Sequence, residues 1–82
     1  KTYNFEYIEI IGHTDNTGNQ EYNNSLSLKR ANSIKDIFIK NNIESEKIFV
    51  KGMGESLPID SNETEIGRQN NRRVEINVKI NN

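Results

Sequence analysis

Three groups of side chains in this sequence carry chemical potential. The first is Gly12-His13-Thr14-Asp15, followed by Asn16, Thr17 and Gly18. The second is Arg30, and the third is a cluster of Arg68, Arg72 and Arg73. There is no cysteine, which excludes disulfides, thiol catalysis and thiolate metal sites. His13 is the single histidine. As a catalytic base it needs a nucleophile or water and an orienting partner. Asp15, Ser25 and Ser27 are the nearest candidates, and neither serine sits in a G-x-S-x-G elbow. As a zinc ligand it lacks a second histidine. No catalytic residue, metal or cofactor is therefore expected. His13 is expected to hydrogen-bond loop backbone and fix its shape.

Asp15 and Arg30 form a more specific pair. A carboxylate accepts from an ammonium group, and a guanidinium holds a carboxylate bidentately. Facing one crevice, the two would suit an amino-acid zwitterion. The alternative is an intramolecular salt bridge, and spacing alone leaves both open. Strand alternation would send Arg72 and Arg73 to opposite faces, so one of them can point toward the same crevice. The glycines of "KGMGES" lack the G-x-x-x-x-G-K-[ST] spacing of a phosphate loop.

The elements that must position these residues follow from periodicity. Tyr3 to Ile11 is rich in aromatic and β-branched residues and is expected to be a strand. The adjacent Ile10 and Ile11 suggest cover on both faces. A polar loop runs from Gly12 to about Tyr22, with Gly12 and Gly18 supplying backbone freedom. A long helix is expected over Asn23–Asn42, with Leu26, Ala31, Ile34, Ile37, Phe38 and Asn41 near a 3.6-residue repeat. Asn23, Asn24 or Ser25 would cap its start, and Asn41-Asn42 would end it. Lys47 to Glu55 gives a second strand. Ser61 to Asn71 gives a short helix, with Asn62 and Glu65 as a capping box. Arg72 to Ile80 gives a third strand, whose Val74, Ile76, Val78 and Ile80 form its buried face. The fold class is α/β, an α+β two-layer sandwich of order β-α-β-(short α)-β. A small mixed sheet packs on the long helix, with the last strand antiparallel near an edge.

Length and charge bound the rest. Eighty-two residues make one domain, 1–82, and the 32% hydrophobic content leaves a small core. Eleven basic residues against twelve acidic ones give no general pull toward nucleic acid or an anionic membrane surface. No apolar run approaches the roughly 18 residues of a membrane span.

Taken together, "IIGHTDNTGNQEYNNSLSLKRANSIKDIF" resembles the core signature of the OmpA-like (OmpA/MotB C-terminal) peptidoglycan-binding domain. The signature is a strand ending in G-H-T-D, a following glycine, then N-x-x-L-S-x-x-R-A, here Gly12 to Asp15, Gly18, Asn23, Leu26, Ser27, Arg30 and Ala31. "VKGMGESLPI" is similar to the family's G-x-G-x-x-x-P-I segment, and "GRQNNRRVEI" to its G-R-x-x-N-R-R-V-E ending. The resemblance implies a noncatalytic periplasmic module that holds peptidoglycan and is tethered to the outer membrane or envelope by other parts of its protein. It implies that Asp15 and Arg30 grip the diaminopimelate residue of the stem peptide. Asn16, Thr17, Arg72 and Arg73 would add contacts, and Gly12, His13, Gly18 and Asn23 would shape the loop. Family members begin with a further strand and helix that these 82 residues do not contain. Two expectations follow: the chain is a fragment of a longer protein, or a homodimer covers the face those elements would occupy. The competing expectations are an assembly or dimerisation module and a cell-wall hydrolase using His13 and Asp15.

Overall fold

The computed structural model describes residues 5–80. Tyr3 and Asn4 of the expected first strand lie outside them. The elements are β1 (Phe5–Gly12), α1 (Gln20–Lys40), a 3-10 turn (Ser45–Lys47), β2 (Ile48–Gly52), α2 (Glu65–Asn71) and β3 (Val74–Ile80). The sheet order is β2-β1-β3. β1 runs parallel to β2, with Ile10 opposite Val50, and antiparallel to β3, with Ile10 opposite Ile76. This is the expected small mixed sheet with its antiparallel edge strand.

α1 packs on β1 and β2. Ile8, Ile10, Ala31 and Ile48 form the buried core, flanked by Ile34, Phe38, Ile43, Val50 and Val74. Ile10 is buried and Ile11 partly so. Ile37 and Asn41, placed on the apolar stripe from sequence, are exposed. The inner face of α1 is carried instead by Asn23, Ser27 and Ala31, spaced four residues apart. Burying two polar residues requires partners for them, which the loops provide.

Helix boundaries differ from expectation for capping reasons. α1 starts three residues early because Asn19, rather than Asn23, Asn24 or Ser25, is its N-cap, its side chain accepting from Tyr22 N at 2.7 Å. α2 starts at Glu65, capped by Thr64 accepting from Gly67 N, so the Asn62–Glu65 capping box does not form. The end of α1 follows expectation. Asn42 takes φ 70°, Asn42 N donates to Ile39 O, and Ile43 N donates to Phe38 O. These two bonds define a Schellman ending, which folds Ile43 back onto the core.

β3 departs from expectation in one respect. Val74 packs on the core, but Ile76, Val78 and Ile80 are 46%, 47% and 50% exposed. Alternation marks these residues as one face, and α1 lies over β1 and β2 rather than over β3.

Candidate functional site

The candidate site is the region where β1 and β2 end and α1 begins. In a parallel βα unit the loops at the carboxyl ends of the strands meet there, the usual ligand position in such sheets. Three backbone bonds extend the sheet into the loops. His13 N donates to Arg73 O, Thr14 N to Gly54 O, and Met53 N to Gly12 O, at 2.8–3.0 Å. The G-H-T-D segment is thus held from both sides before any side chain acts.

Asp15 is 5% exposed. Its Oδ1 accepts from Thr17 N at 2.8 Å, an Asx-turn that shapes the loop. Its Oδ2 accepts from Arg72 Nη1 at 2.5 Å. Burial pushes the Asp15 carboxyl up, but the bonds from Thr17 and Arg72 outweigh it and hold the group below the usual carboxylate range. Asp15 is therefore a fixed anion at neutral pH. A carboxylate has about four acceptor positions, so two such bonds leave room for a further donor.

Asn23 anchors the segment to α1. Its buried Nδ2 donates to Asp15 O at 3.3 Å and to Glu55 Oε1 at 3.1 Å. Ser27, one turn on, accepts from Gly54 N through Oγ at 2.9 Å. Gly12 lies so close to α1 that an added Cβ would stand 2.1 Å from Ser27 O. Gly18 takes φ 84° between the Asx-turn and the N-cap of α1. Asn16 is exposed and offers its side chain to solvent.

Arg30 is exposed, and its guanidinium makes no hydrogen bond or ion pair among the described residues. The salt-bridge alternative for Asp15 and Arg30 is not what forms, because Asp15 is paired with Arg72. Arg30 lies seven residues, about two turns, beyond Asn23 and therefore on the same side of α1. Helical side chains in general lean toward the helix N-terminus, the end at which Asn23 holds Asp15.

The closing arginines diverge as alternation suggests. Arg72 bridges Asp15 and Glu65, the latter through Nη2 at 3.1 Å. Arg68 also pairs with Glu65, so Asp15, Arg72, Glu65 and Arg68 form one chain of alternating charge. Arg73 turns the other way, to Glu75 Oε2 at 2.8 Å and to the carbonyls of Asn71 and Leu57. It approaches the loop of Asp15 through its backbone carbonyl only.

The His13 imidazole does not bond to the loop. It is 1% exposed with neither ring nitrogen hydrogen-bonded, and Nε2 stands 3.6 Å from Glu75 Oε2. Its backbone N–H makes the tie to Arg73, while the ring fills space. Burial, then the nearby Arg73, lower its pKa against the opposing pull of Glu75, which keeps the ring neutral.

Sequence reasoning missed Glu65 and Asn71. Asn71 is fully buried and uses all its bonding capacity. Oδ1 accepts from Ile59 N and Asp60 N, while Nδ2 donates to Asp60 O and Asn62 Oδ1. It pins the loop before α2 and so sets where Arg72 emerges. The N-R-R run was the signal available in the sequence, with Asn71 its first residue. Among the described residues, no group of three or more His, Cys, Asp or Glu comes together to hold a metal ion.

The chain is similar to known proteins in sequence and in fold. The chain is 45% identical over 83 residues to photosystem I P700 chlorophyll a apoprotein A2 of Gloeobacter violaceus, covering 94% of this chain and 10% of that one. It is 43% identical over 72 residues to outer membrane porin F of Pseudomonas fluorescens, covering 88% and 22%. Its structure superposes on the peptidoglycan-associated lipoprotein from Burkholderia pseudomallei with a TM-score of 0.85 and 26% identity, covering 89% of this chain and 62% of that one. The chain thus spans well under half the length of these two curated relatives. A family model described as the OmpA family matches residues 1–72, which takes in the G-H-T-D loop, the whole of α1 and Arg72. The chain belongs to the OmpA family.

Proposed function

We propose that this domain binds peptidoglycan noncovalently through the diaminopimelate residue of the stem peptide, and so anchors an envelope protein to the cell wall. In this reading Asp15 accepts from the ligand ammonium and Arg30 takes the ligand carboxylate. Asn16 and Thr17 border the ligand. Arg72 fixes the Asp15 carboxylate, and Arg73 contributes through the loop it braces. The domain works in the periplasm, tethered to the outer membrane or envelope through other regions, and it is a noncatalytic module.

The observation that supports this most is the contrast between two arginines. Arg72 is consumed by Asp15 and Glu65, whereas Arg30, on the same helix side as Asn23, has no partner among the described residues. A held anion and an unengaged guanidinium together match an amino-acid zwitterion in charge and in hydrogen-bonding sense. The peptidoglycan-associated lipoprotein among the superposed structures supports the class of ligand.

Co-sedimentation with purified sacculi tests the reading. Wild type should pellet with diaminopimelate-containing sacculi and be released by free diaminopimelate. Wild type that stays in the supernatant overturns peptidoglycan binding. Pelleting that free diaminopimelate leaves untouched overturns the finer assignment alone.

A further inference from the structure

Glu55 stands beside Asp15 at the candidate site. β1 and β2 keep one offset along their whole length, from Ile8 opposite Ile48 to Gly12 opposite Gly52. Two backbone bonds carry the pair past the strand ends, Met53 N to Gly12 O and Thr14 N to Gly54 O. The same offset then sets Asp15 opposite Glu55. Asn23 ties both to α1, its Nδ2 donating to Asp15 O at 3.3 Å and to Glu55 Oε1 at 3.1 Å. The Glu55 carboxylate is thus held through one oxygen only. Its Oε2 accepts no hydrogen bond among the described residues. The His13 ring nitrogens are the buried side-chain atoms without a partner among those residues, so Oε2 reaches solvent.

Charge separates the two acids. Asp15 is compensated by Arg72, and with Glu65 and Arg68 the two form a chain of two acids and two bases. That chain carries no net charge. It offers a ligand cation acceptor positions but little net attraction. Glu55 is partly buried and has no cation among the described residues. It therefore brings net negative charge to the site. An ammonium group also carries three donors, more than one carboxylate oxygen can satisfy.

We propose that Glu55 is the second carboxylate for the ligand ammonium, its Oε2 accepting one N–H while Asp15 accepts another. The assignment rests on the reading above, in which Asp15 faces that ammonium. Asp15 fixes where the group sits, and Glu55 supplies the charge that favours a free amine.

Co-sedimentation with diaminopimelate-containing sacculi tests this, with Glu55→Gln and Glu55→Asp beside wild type. Glu55→Gln keeps an acceptor at the same reach for Asn23 and removes the charge. Glu55→Asp keeps the charge and draws it back by one methylene, away from Asn23. Retention of Glu55→Gln should fall about tenfold, because a charge-assisted hydrogen bond is roughly twice as strong as a neutral one. Glu55→Asp should fall between Glu55→Gln and wild type. A residue that only braces Asn23 gives the reverse order. Hydrogen exchange at the Thr14 and Thr17 amides, which bond to Gly54 O and Asp15 Oδ1, reports the shape of the loop. In Glu55→Gln both should be protected as in wild type. Wild type that does not pellet, or that free diaminopimelate does not release, overturns the parent reading and this assignment with it. Wild type that pellets and is released, beside a Glu55→Gln variant retained equally well, overturns the role of Glu55 alone. So does a Glu55→Asp variant weaker than Glu55→Gln, or a loss of retention that comes with lost amide protection.

Discussion

Arg72 Nη1 lies 2.5 Å from Asp15 Oδ2 while Nη2 of the same side chain lies 3.1 Å from Glu65 Oε2, so one guanidinium joins the G-H-T-D loop to α2. The bridge has a measurable pH signature. Asp15 and Glu65 both have carboxyls held below their usual range, Asp15 against its burial and Glu65 mainly through Arg72 and Arg68. Between the depressed folded values and the ordinary values near 4, the unfolded chain binds more protons. The contribution of these groups is therefore complete above about pH 5 and is lost as pH falls through the folded values. In Arg72→Ala, melting temperature at pH 7 should fall and its decline between pH 5 and 2 should flatten. Thermal melts by circular dichroism across that range check it. Glu65→Gln should remove only part of the slope, since it leaves the Asp15 bond in place.

Arg30 should behave in the opposite way. It is exposed and unpaired among the described residues, so Arg30→Ala should change stability by less than about 0.5 kcal/mol. Retention on diaminopimelate-containing sacculi should nonetheless fall at least about tenfold, because the ligand carboxylate loses its charged donor. Equal melting curves with unequal pull-downs would establish a binding role. Unchanged retention would remove Arg30 from the site.

The fold was legible wherever one short segment carries its own pattern. The alternation of Val74 to Ile80 marked β3, and Asn41-Asn42 marked the end of α1. Alternation does not say what lies over a face, which is why Ile76, Val78 and Ile80 read as buried and are half exposed. The start of α1 was obscured because Gln20 to Asn24 has no apolar repeat. Its inner face is polar there, and Asn23 and Ser27 are buried only because Asp15 O, Glu55 and Gly54 N bond to them. The site was half legible. Asp15 sits on a recognisable loop, but its partner Arg72 lies 57 residues away and is placed by Asn71 and the loop before α2. No local pattern encodes that pairing.

His13 gives a second pH dependence, in a higher window. Its ring is buried, without hydrogen bonds, and its pKa is lowered by burial and by Arg73 against the pull of Glu75. Below the ordinary value near 6.5 the unfolded chain takes up a proton that the folded chain resists. Stability should be constant from pH 8 to about 7 and should decline as pH falls through 6 toward the folded value. Urea midpoints at pH 7.5 and 5.5 measure this, and the lower one should be at acid pH. In His13→Asn that difference should shrink, whatever packing is lost at both pH values. Imidazole proton shifts by NMR provide an independent reading, and a midpoint above 6.5 would contradict the account.

Gly12 and Gly52 end the two parallel strands, and both lie against the backbone of α1. A Cβ on Gly12 would stand 2.1 Å from Ser27 O, and one on Gly52 would stand 2.6 Å from Leu28 N. Neither obstacle is the end of a flexible side chain, so relief requires the helix to move off the sheet. Gly12→Ala should cost about 3 kcal/mol or more, at the upper end for overpacking in a tight interior. The displaced helix carries Asn23, which holds Asp15 O, and Arg30. Protein that still folds should therefore lose sacculi retention beyond what its folded fraction accounts for. Urea denaturation gives the folded fraction, and co-sedimentation at a temperature where that fraction exceeds nine-tenths gives the retention. A retention loss that tracks the folded fraction alone would mean that the spacing of α1 from β1 serves stability and not the site.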